Sequence, residues 1–233
     1  MAEKKPKKPK KVTEPKKSTQ QSAQEAAELA YAQGVMHHTL GNKAESLAAL
    51  ERALTLKPDF PPAVMTMASI EYQRQEQEQG KRRLFALLEL PADTEDLSTI
   101  IDEAGSFLMS VNEFADGLEL YREAARKFPY VPAFHQGRAC CAGQEGLFDE
   151  ALASSQKAME LDPENAAYVN DMGWTLLLAE RFREAEAAFQ RSLEIDPSNE
   201  RAQMNLQHCR EILAHEPPVE PEPAPKKRKS KRG

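Results

Sequence analysis

Residues 182–197 read FREAEAAFQRSLEIDP, and residues 148–163 read FDEALASSQKAMELDP. The phrase returns after 34 residues, with Phe148 and Phe182, Ala151 and Ala185, Pro163 and Pro197 in matching places. A period of this length belongs to chains that stack one small structural unit many times, each unit burying its apolar stripe on its neighbours. Stepping backwards, the same spacing leads from Pro163 to Pro129. A step of 37 then reaches Ala92, and a step of 34 reaches Pro58. Three residues are therefore inserted near 93–97. Each of these positions closes an apolar-periodic run such as ALERALTLKP or LYREAARKFP, where proline fits because it cannot continue a helix.

Small residues keep the same period. Gly34, Ala68, Gly105, Ala139 and Gly173 share one place in the unit. Ser46, Gly80, Gly117, Ala151 and Ala185 share a second, and Ala53, Leu87, Ala124, Ala158 and Ser192 a third. Small side chains at such places let two helices cross closely, and the larger Leu50, Leu84, Tyr121 and Phe189 fill the space between. Glycine is otherwise scarce and aromatics are 6% of the chain, while Ala, Leu, Glu, Gln, Lys and Arg, all good helix formers, dominate its middle. The apolar share of 40% is enough for a core, and 233 residues make one large or two small domains.

Glycine at the eighth place, alanine at the twentieth and twenty-seventh and proline at the thirty-second resemble the tetratricopeptide repeat family. DMGWTLLLAERFREAEAAFQRSLEIDP is the strongest match, and the resemblance covers about residues 27–198. The second unit departs from the pattern, with QRQEQEQGKRR before its second helix and Leu87 and Ala92 where Ala and Pro are usual. The fourth carries Arg138 in a normally apolar slot. The fold expected from the resemblance is all-α, a right-handed α-solenoid of about five helix-turn-helix repeats. These are placed at about 27–60, 61–94, 98–131, 132–165 and 166–199, with a capping helix at 199–214 whose Arg201, Gln203, Gln207 and Arg210 supply a polar outer face. The repeat domain is placed at 22–214, with helices at 22–40, 43–56, 61–75, 78–89, 97–110, 113–127, 132–144, 147–160, 166–179 and 182–195. Helices of ~14 residues are marginal alone, so the array folds by mutual packing.

The net charge of −6 conceals an asymmetry. Residues 1–21 hold eight Lys and two Glu, and residues 216–233 hold six Lys/Arg and three Glu, so two basic ends flank an acidic body. Both ends, 1–21 and 215–233, are Pro-rich and charged and read as disordered tails. Weak, salt-sensitive contact with nucleic acid or anionic surfaces, a nuclear import signal in KKRKSKR, or a tail folding back on the acidic body are the readings they admit. No apolar run approaches the ~20 residues of a membrane span, and no apolar segment follows the charged start as in a leader peptide. A cytoplasmic protein is expected, or a nuclear one in a eukaryote.

Chemistry-bearing patterns are sparse. Phosphate loops, GxSxG, HExxH and EF-hand spacings are absent. Cys140, Cys141 and Cys209 form neither a disulfide framework nor a zinc spacing. His37 and His38 are adjacent, so on a helix they point about 100° apart, and His208 beside Cys209 fails alike. No catalytic residue, cofactor or metal is expected.

The resemblance implies that the first helix of each unit lines a concave groove that takes a protein or peptide. The groove-facing places hold Tyr31, Val35 and His38; Met65, Ser69 and Tyr72; Asp102, Ser106 and Met109; Gln136, Cys140 and Gln144; Asn170, Trp174 and Leu177; then Met204 and His208. Aromatic and Met residues are enriched where proteins bind others, and Asn170 and Gln136 are suited to hydrogen-bonding a peptide backbone. The carboxylate-clamp subtype, which grips a chaperone C-terminus, uses Lys and Asn at fixed first-helix places. The fifth places hold Tyr31, Met65, Asp102, Gln136 and Asn170, with no Lys, so a chaperone C-terminal carboxylate is not the expected ligand. A non-enzymatic adaptor is the expected function. A nucleic-acid-associated protein tethered by its tails, or a secretion-type repeat chaperone, is the alternative.

Overall fold

The computed structural model describes residues 19–215, with side chains from Ser22 onward. The tail assignments at 1–18 and 216–233 lie outside the described residues. Eleven α-helices follow in chain order among the described residues: α1 (Thr19–Thr39), α2 (Lys43–Leu56), α3 (Pro61–Gln73), α4 (Gln77–Ala86), α5 (Leu97–Ser110), α6 (Phe114–Lys127), α7 (Pro132–Gln144), α8 (Phe148–Leu161), α9 (Ala166–Leu178), α10 (Phe182–Ile195) and α11 (Glu200–His215). They contain no strand. This is the all-α class of repeated helix pairs that the period predicts. Two differences stand out: α1 begins three residues earlier than expected, and the expected helix 78–89 ends at Ala86, with a 3-10 turn over Leu87–Glu89.

The chain divides into two compact units, one ending at Phe107 and one starting at Leu108, so the division falls inside α5. The first unit holds α1–α4 and the first part of α5. The second holds the rest.

Helix starts follow local chemistry. Pro61 and Pro132 open α3 and α7, where a missing N–H costs nothing. Asn165 caps α9 by accepting from the Ala167 amide at 3.1 Å. Asn199 serves α11 likewise through the Ala202 amide, also at 3.1 Å.

The turns inside the pairs share one geometry. Gly41, Gln75, Asn112, Gly146 and Glu180 all have positive φ, at 77°, 64°, 63°, 73° and 58°. They are spaced by 34, 37, 34 and 34 residues, the period of the prolines. At each turn two amides satisfy the last carbonyls of the preceding helix. In the last one, the Glu180 amide donates to the Leu177 carbonyl at 3.0 Å and the Arg181 amide to the Leu176 carbonyl at 2.9 Å. This is a Schellman motif, repeated five times.

Helix crossings follow the small residues. In the first unit, Gly34 lies so close to Leu50 that a Cβ there would sit 2.9 Å from its Cγ. The Ser46 hydroxyl donates to the Gly34 carbonyl at 2.8 Å. Ala27, Ala30, Ala53, Phe60 and Ala63 form a cluster there, with Tyr31 edge-on to Phe60. In the second unit Leu176, Ala185, Phe189, Leu206 and Cys209 cluster, and the Ser192 hydroxyl donates to the Ala166 carbonyl at 2.7 Å. Leu50, Leu84, Tyr121 and Phe189, the expected space fillers, are all fully buried.

Arg138, the charge in an apolar slot, finds its partner on α8. Glu150 accepts from its Nε at 2.8 Å and also pairs with Arg122 of α6. The Arg122 hydrogen bond, followed by that of Arg138, holds the Glu150 carboxyl down at about 2. One acid thus ties three consecutive helices.

Candidate functional site

In the second unit the first helices of consecutive pairs lie side by side, α7 beside α9 and α9 beside α11. A cavity of about 360 Å³ opens between them. Phe114, Trp174 and Leu178 supply its apolar wall, and Cys140, Gln144, Asn170, Asp171, Thr175, Arg201 and Asn205 its polar one. Trp174 is 37% exposed. Residues 170, 174 and 178 are four apart, so the helical turn places all three on one face of α9.

A belt of side-chain hydrogen bonds crosses the three helices beneath the cavity. The Gln136 amide donates to Asp171 Oδ2 at 2.6 Å, the Asn170 amide to Asp171 Oδ1 at 3.0 Å, and the Asn205 amide to Asn170 Oδ1 at 3.0 Å. Burial raises the Asp171 carboxyl above its ordinary value, opposed by Asn170, the charge of Arg201 and Gln136. Arg201 lines the opening, makes no ion pair among the described residues, and lends its charge to the Asp171 carboxyl. The amide oxygen of Gln136, Oε1, is buried without a hydrogen-bond partner.

The first unit has two hollows. One, of about 550 Å³, lies between α1, α3 and α5, floored by Tyr31, Pro61, Pro62, Met65 and Ile100 and edged by Glu95, Asp96 and Glu103. The other, of about 250 Å³, includes Val35, His38, Ser69 and Gln73.

The residues expected at groove-facing places scatter. Cys140, Asn170 and Trp174 meet at the second unit's cavity. Tyr31 and Met65 meet in the larger hollow, and His38 and Ser69 in the smaller. Asp102 and Met109 are half-buried and line none of these, while Met204, 71% exposed, and His208 stand on α11 outside the cavity.

Three assignments need correction. Tyr72 is a core residue. Its ring meets Phe107 edge-on at 5.5 Å and occupies the room left by Gly80, where a Cβ would sit 2.6 Å from it. Leu177 packs with the Leu176 and Phe189 cluster, and Leu178, one residue on and about 100° around the helix, lines the cavity instead. Gln136 and Asn170 are buried and spend their amides on Asp171. Asp171, Arg201 and Asn205 were missed. Their signal lies in the 35-residue offsets from Gln136 to Asp171 and from Asn170 to Asn205, which join neighbouring first helices.

None of Cys140, Cys141 and Cys209 is in a disulfide among the described residues. Burial pushes the Cys141 thiol up to about 12, so it carries no thiolate at neutral pH. Among the described residues no group of three His, Cys, Asp or Glu side chains is placed to hold a metal ion, and no helix is long and apolar enough to cross a membrane.

Two tetratricopeptide repeat family models match the sequence, over residues 27–60 and 142–209. The chain carries tetratricopeptide repeats. No curated protein matches its sequence. Solved tetratricopeptide structures share its fold. YrrB, described as having an unusual peptide-binding site, superposes with a TM-score of 0.53 at 18% identity, covering 83% of this chain and 98% of YrrB. MamA of Desulfovibrio magneticus RS-1 gives 0.52 at 15% identity, covering 75% and 97%. At these identities the likeness is one of fold. The cavity residues of this repeat protein are argued from its own geometry.

Proposed function

We propose that this tetratricopeptide repeat protein is a non-enzymatic adaptor that holds a segment of another protein, with the cavity between α7, α9 and α11 as its main anchor point. The observation that carries this reading is Trp174, the chain's single tryptophan, 37% exposed on the wall of a cavity that the stack does not need. Tryptophan is costly to leave in water and is enriched among the residues that dominate binding energy. YrrB carries a peptide-binding site, and the same class of ligand is proposed here.

The chemistry of the walls defines the ligand. A volume of about 360 Å³ accepts one or two apolar side chains against Phe114, Trp174 and Leu178. The unpaired Arg201 favours an acidic residue beside that anchor. Because Asn170, Asn205 and Gln136 are committed to the belt, they keep the floor rigid, and the cavity's shape is set before the ligand arrives.

Selecting peptides from a random display library on the full chain tests this. Selected sequences should pair an apolar anchor with a nearby acid. Trp174→Ala should weaken them about 30-fold, equivalent to about 2 kcal/mol, with helical circular dichroism unchanged. Peptides that bind Trp174→Ala as well as the parent chain would remove the cavity from the function.

A further inference from the structure

We infer that the outward face of α1, the stripe through Leu29, Ala32, Met36 and Leu40, docks a second copy of this chain, the two α1 helices pairing antiparallel about a two-fold axis. None of these residues lines the second unit's cavity, so the inference stands apart from the proposed function.

Terminal helices of a repeat stack turn a polar face outward, because no further unit covers them. α11 follows this rule, with Arg201, Gln203, Gln207 and Arg210 exposed. α1 does not. Its inner face buries Ala27 and Ala30 in the cluster with Ala53, Phe60 and Ala63, and Gly34 against Leu50. Leu29 and Met36 each stand two residues beyond Ala27 and Gly34, about 200° around the helix. There Leu29 is 61% exposed, Met36 52% and Leu40 66%. Ten large apolar side chains are exposed among the described residues, and three of them share this one stripe. Val111, Tyr130 and Leu147, by contrast, stand singly in connections between helices. Scattered apolar residues on a surface carry no message, whereas a contiguous stripe marks an interface.

The spacing specifies a helix as the occupant. Leu29, Ala32, Met36 and Thr39 follow one another by three, four and three residues, the 3.5-residue average of a helix–helix seam. Thr39 does not break the seam, because its hydroxyl already donates to the Val35 carbonyl at 3.1 Å.

The stripe is complementary to itself, which is the condition for a two-fold interface between identical chains. With the axis level with Gly34, Ala32 faces Met36 of the second copy, a small side chain against a large one, at two symmetric places. Leu29 seats beside Thr39 and Leu40 of the second copy. Exposed Glu25 comes to the end of the pair where Lys43 of the second copy opens α2. A parallel pairing would set Glu25 against Glu25 and align the two helix dipoles, so the antiparallel one is favoured. From Glu25 to Leu40 the seam is about 22 Å long and one helix wide. That is well below the ~800 Å² per partner of a standard interface, so the dimer is weak and reversible, with a dissociation constant on the order of 0.1 mM. Once formed, it presents every binding site twice, which favours partners that repeat their own segment.

Sedimentation equilibrium of the full chain, over three decades of concentration up to about 1 mM, tests this. The mass should move reversibly from one chain to two and go no further. Met36→Glu sets a carboxylate from each copy beside the axis and should weaken the dimer at least about tenfold, as should Leu29→Glu. Met204→Glu, at a residue 71% exposed on α11, should leave it unchanged. All three positions are exposed, so helical circular dichroism and the urea midpoint of the dilute chain should not move. A mass of one chain throughout, growth beyond two chains, a dimer that survives both α1 variants, or one that Met204→Glu weakens equally would each overturn the inference.

Discussion

A Cβ on Gly173 would lie 2.6 Å from Cε1 of Phe189, so the ring of α10 reaches the backbone of α9 at the one place where no side chain stands. Phe189 is fully buried and cannot retreat without opening the cluster around Leu176 and Leu206. Gly173→Ala should therefore destabilise the second unit by about 1–3 kcal/mol, seen as a lower urea midpoint at unchanged slope. Adding Phe189→Leu should recover part of the loss.

Gln75 and Glu180 occupy left-handed backbone at φ of 64° and 58°, where the same turn elsewhere uses Gly41 and Gly146. Left-handed backbone costs a side-chain-bearing residue roughly 1–2 kcal/mol, part of which glycine gives back through its freer unfolded chain. Gln75→Gly and Glu180→Gly should each raise stability, by up to about 1 kcal/mol. Chemical denaturation of the two variants checks this, and a loss in either would mean that its side chain holds the turn by contacts of its own.

Glu150 ionises well below an ordinary glutamate because Arg122 and then Arg138 bond its carboxylate. A carboxyl whose folded pKa lies below its unfolded one stabilises the fold at neutral pH. That contribution is lost as pH falls from the ordinary glutamate range towards about 2. Partial exposure of both arginines holds the effect to about 1 kcal/mol. The stability gap between the parent chain and Glu150→Gln should therefore be present at pH 7 and close as acid is added, followed by denaturant midpoints at each pH.

Glu71 is 3% exposed, and its Oε1 accepts from Arg83 Nε at 2.6 Å. Its other oxygen is buried without a partner. Removing the arginine leaves a buried charge uncompensated, so Arg83→Ala should cost about 3 kcal/mol. Glu71→Leu placed on top should restore most of it, which thermal melts of the single and double variants would show.

The repeat was legible because its recurring residues report packing that every unit shares. Pro163 and Pro197 end helices, and Gly173 and Phe189 fill one crossing between them. What stayed hidden depends on which neighbour covers a face. Spacing places Tyr72 on the first-helix face, but Phe107 and Gly80 decide that it is buried. Leu177 and Leu178 differ by about 100° of helix, and only the packing of α10 and α11 separates them. Gly41 and Gly146 already marked the left-handed turn, but Gln75 and Glu180 masked it, because the turn is held by backbone hydrogen bonds rather than by residue type. Arg201 reads as a polar cap in the sequence, and it becomes part of a cavity only because α11 lies beside α9.

The most direct test of the central claim is the emission of Trp174 during titration of the full chain with a library-selected peptide. The chain has one tryptophan, so the signal has one source. The account predicts a saturable blue shift as the half-exposed indole is covered, with the same midpoint as calorimetry. Binding seen by calorimetry with the Trp174 emission unmoved would place the ligand elsewhere and contradict it.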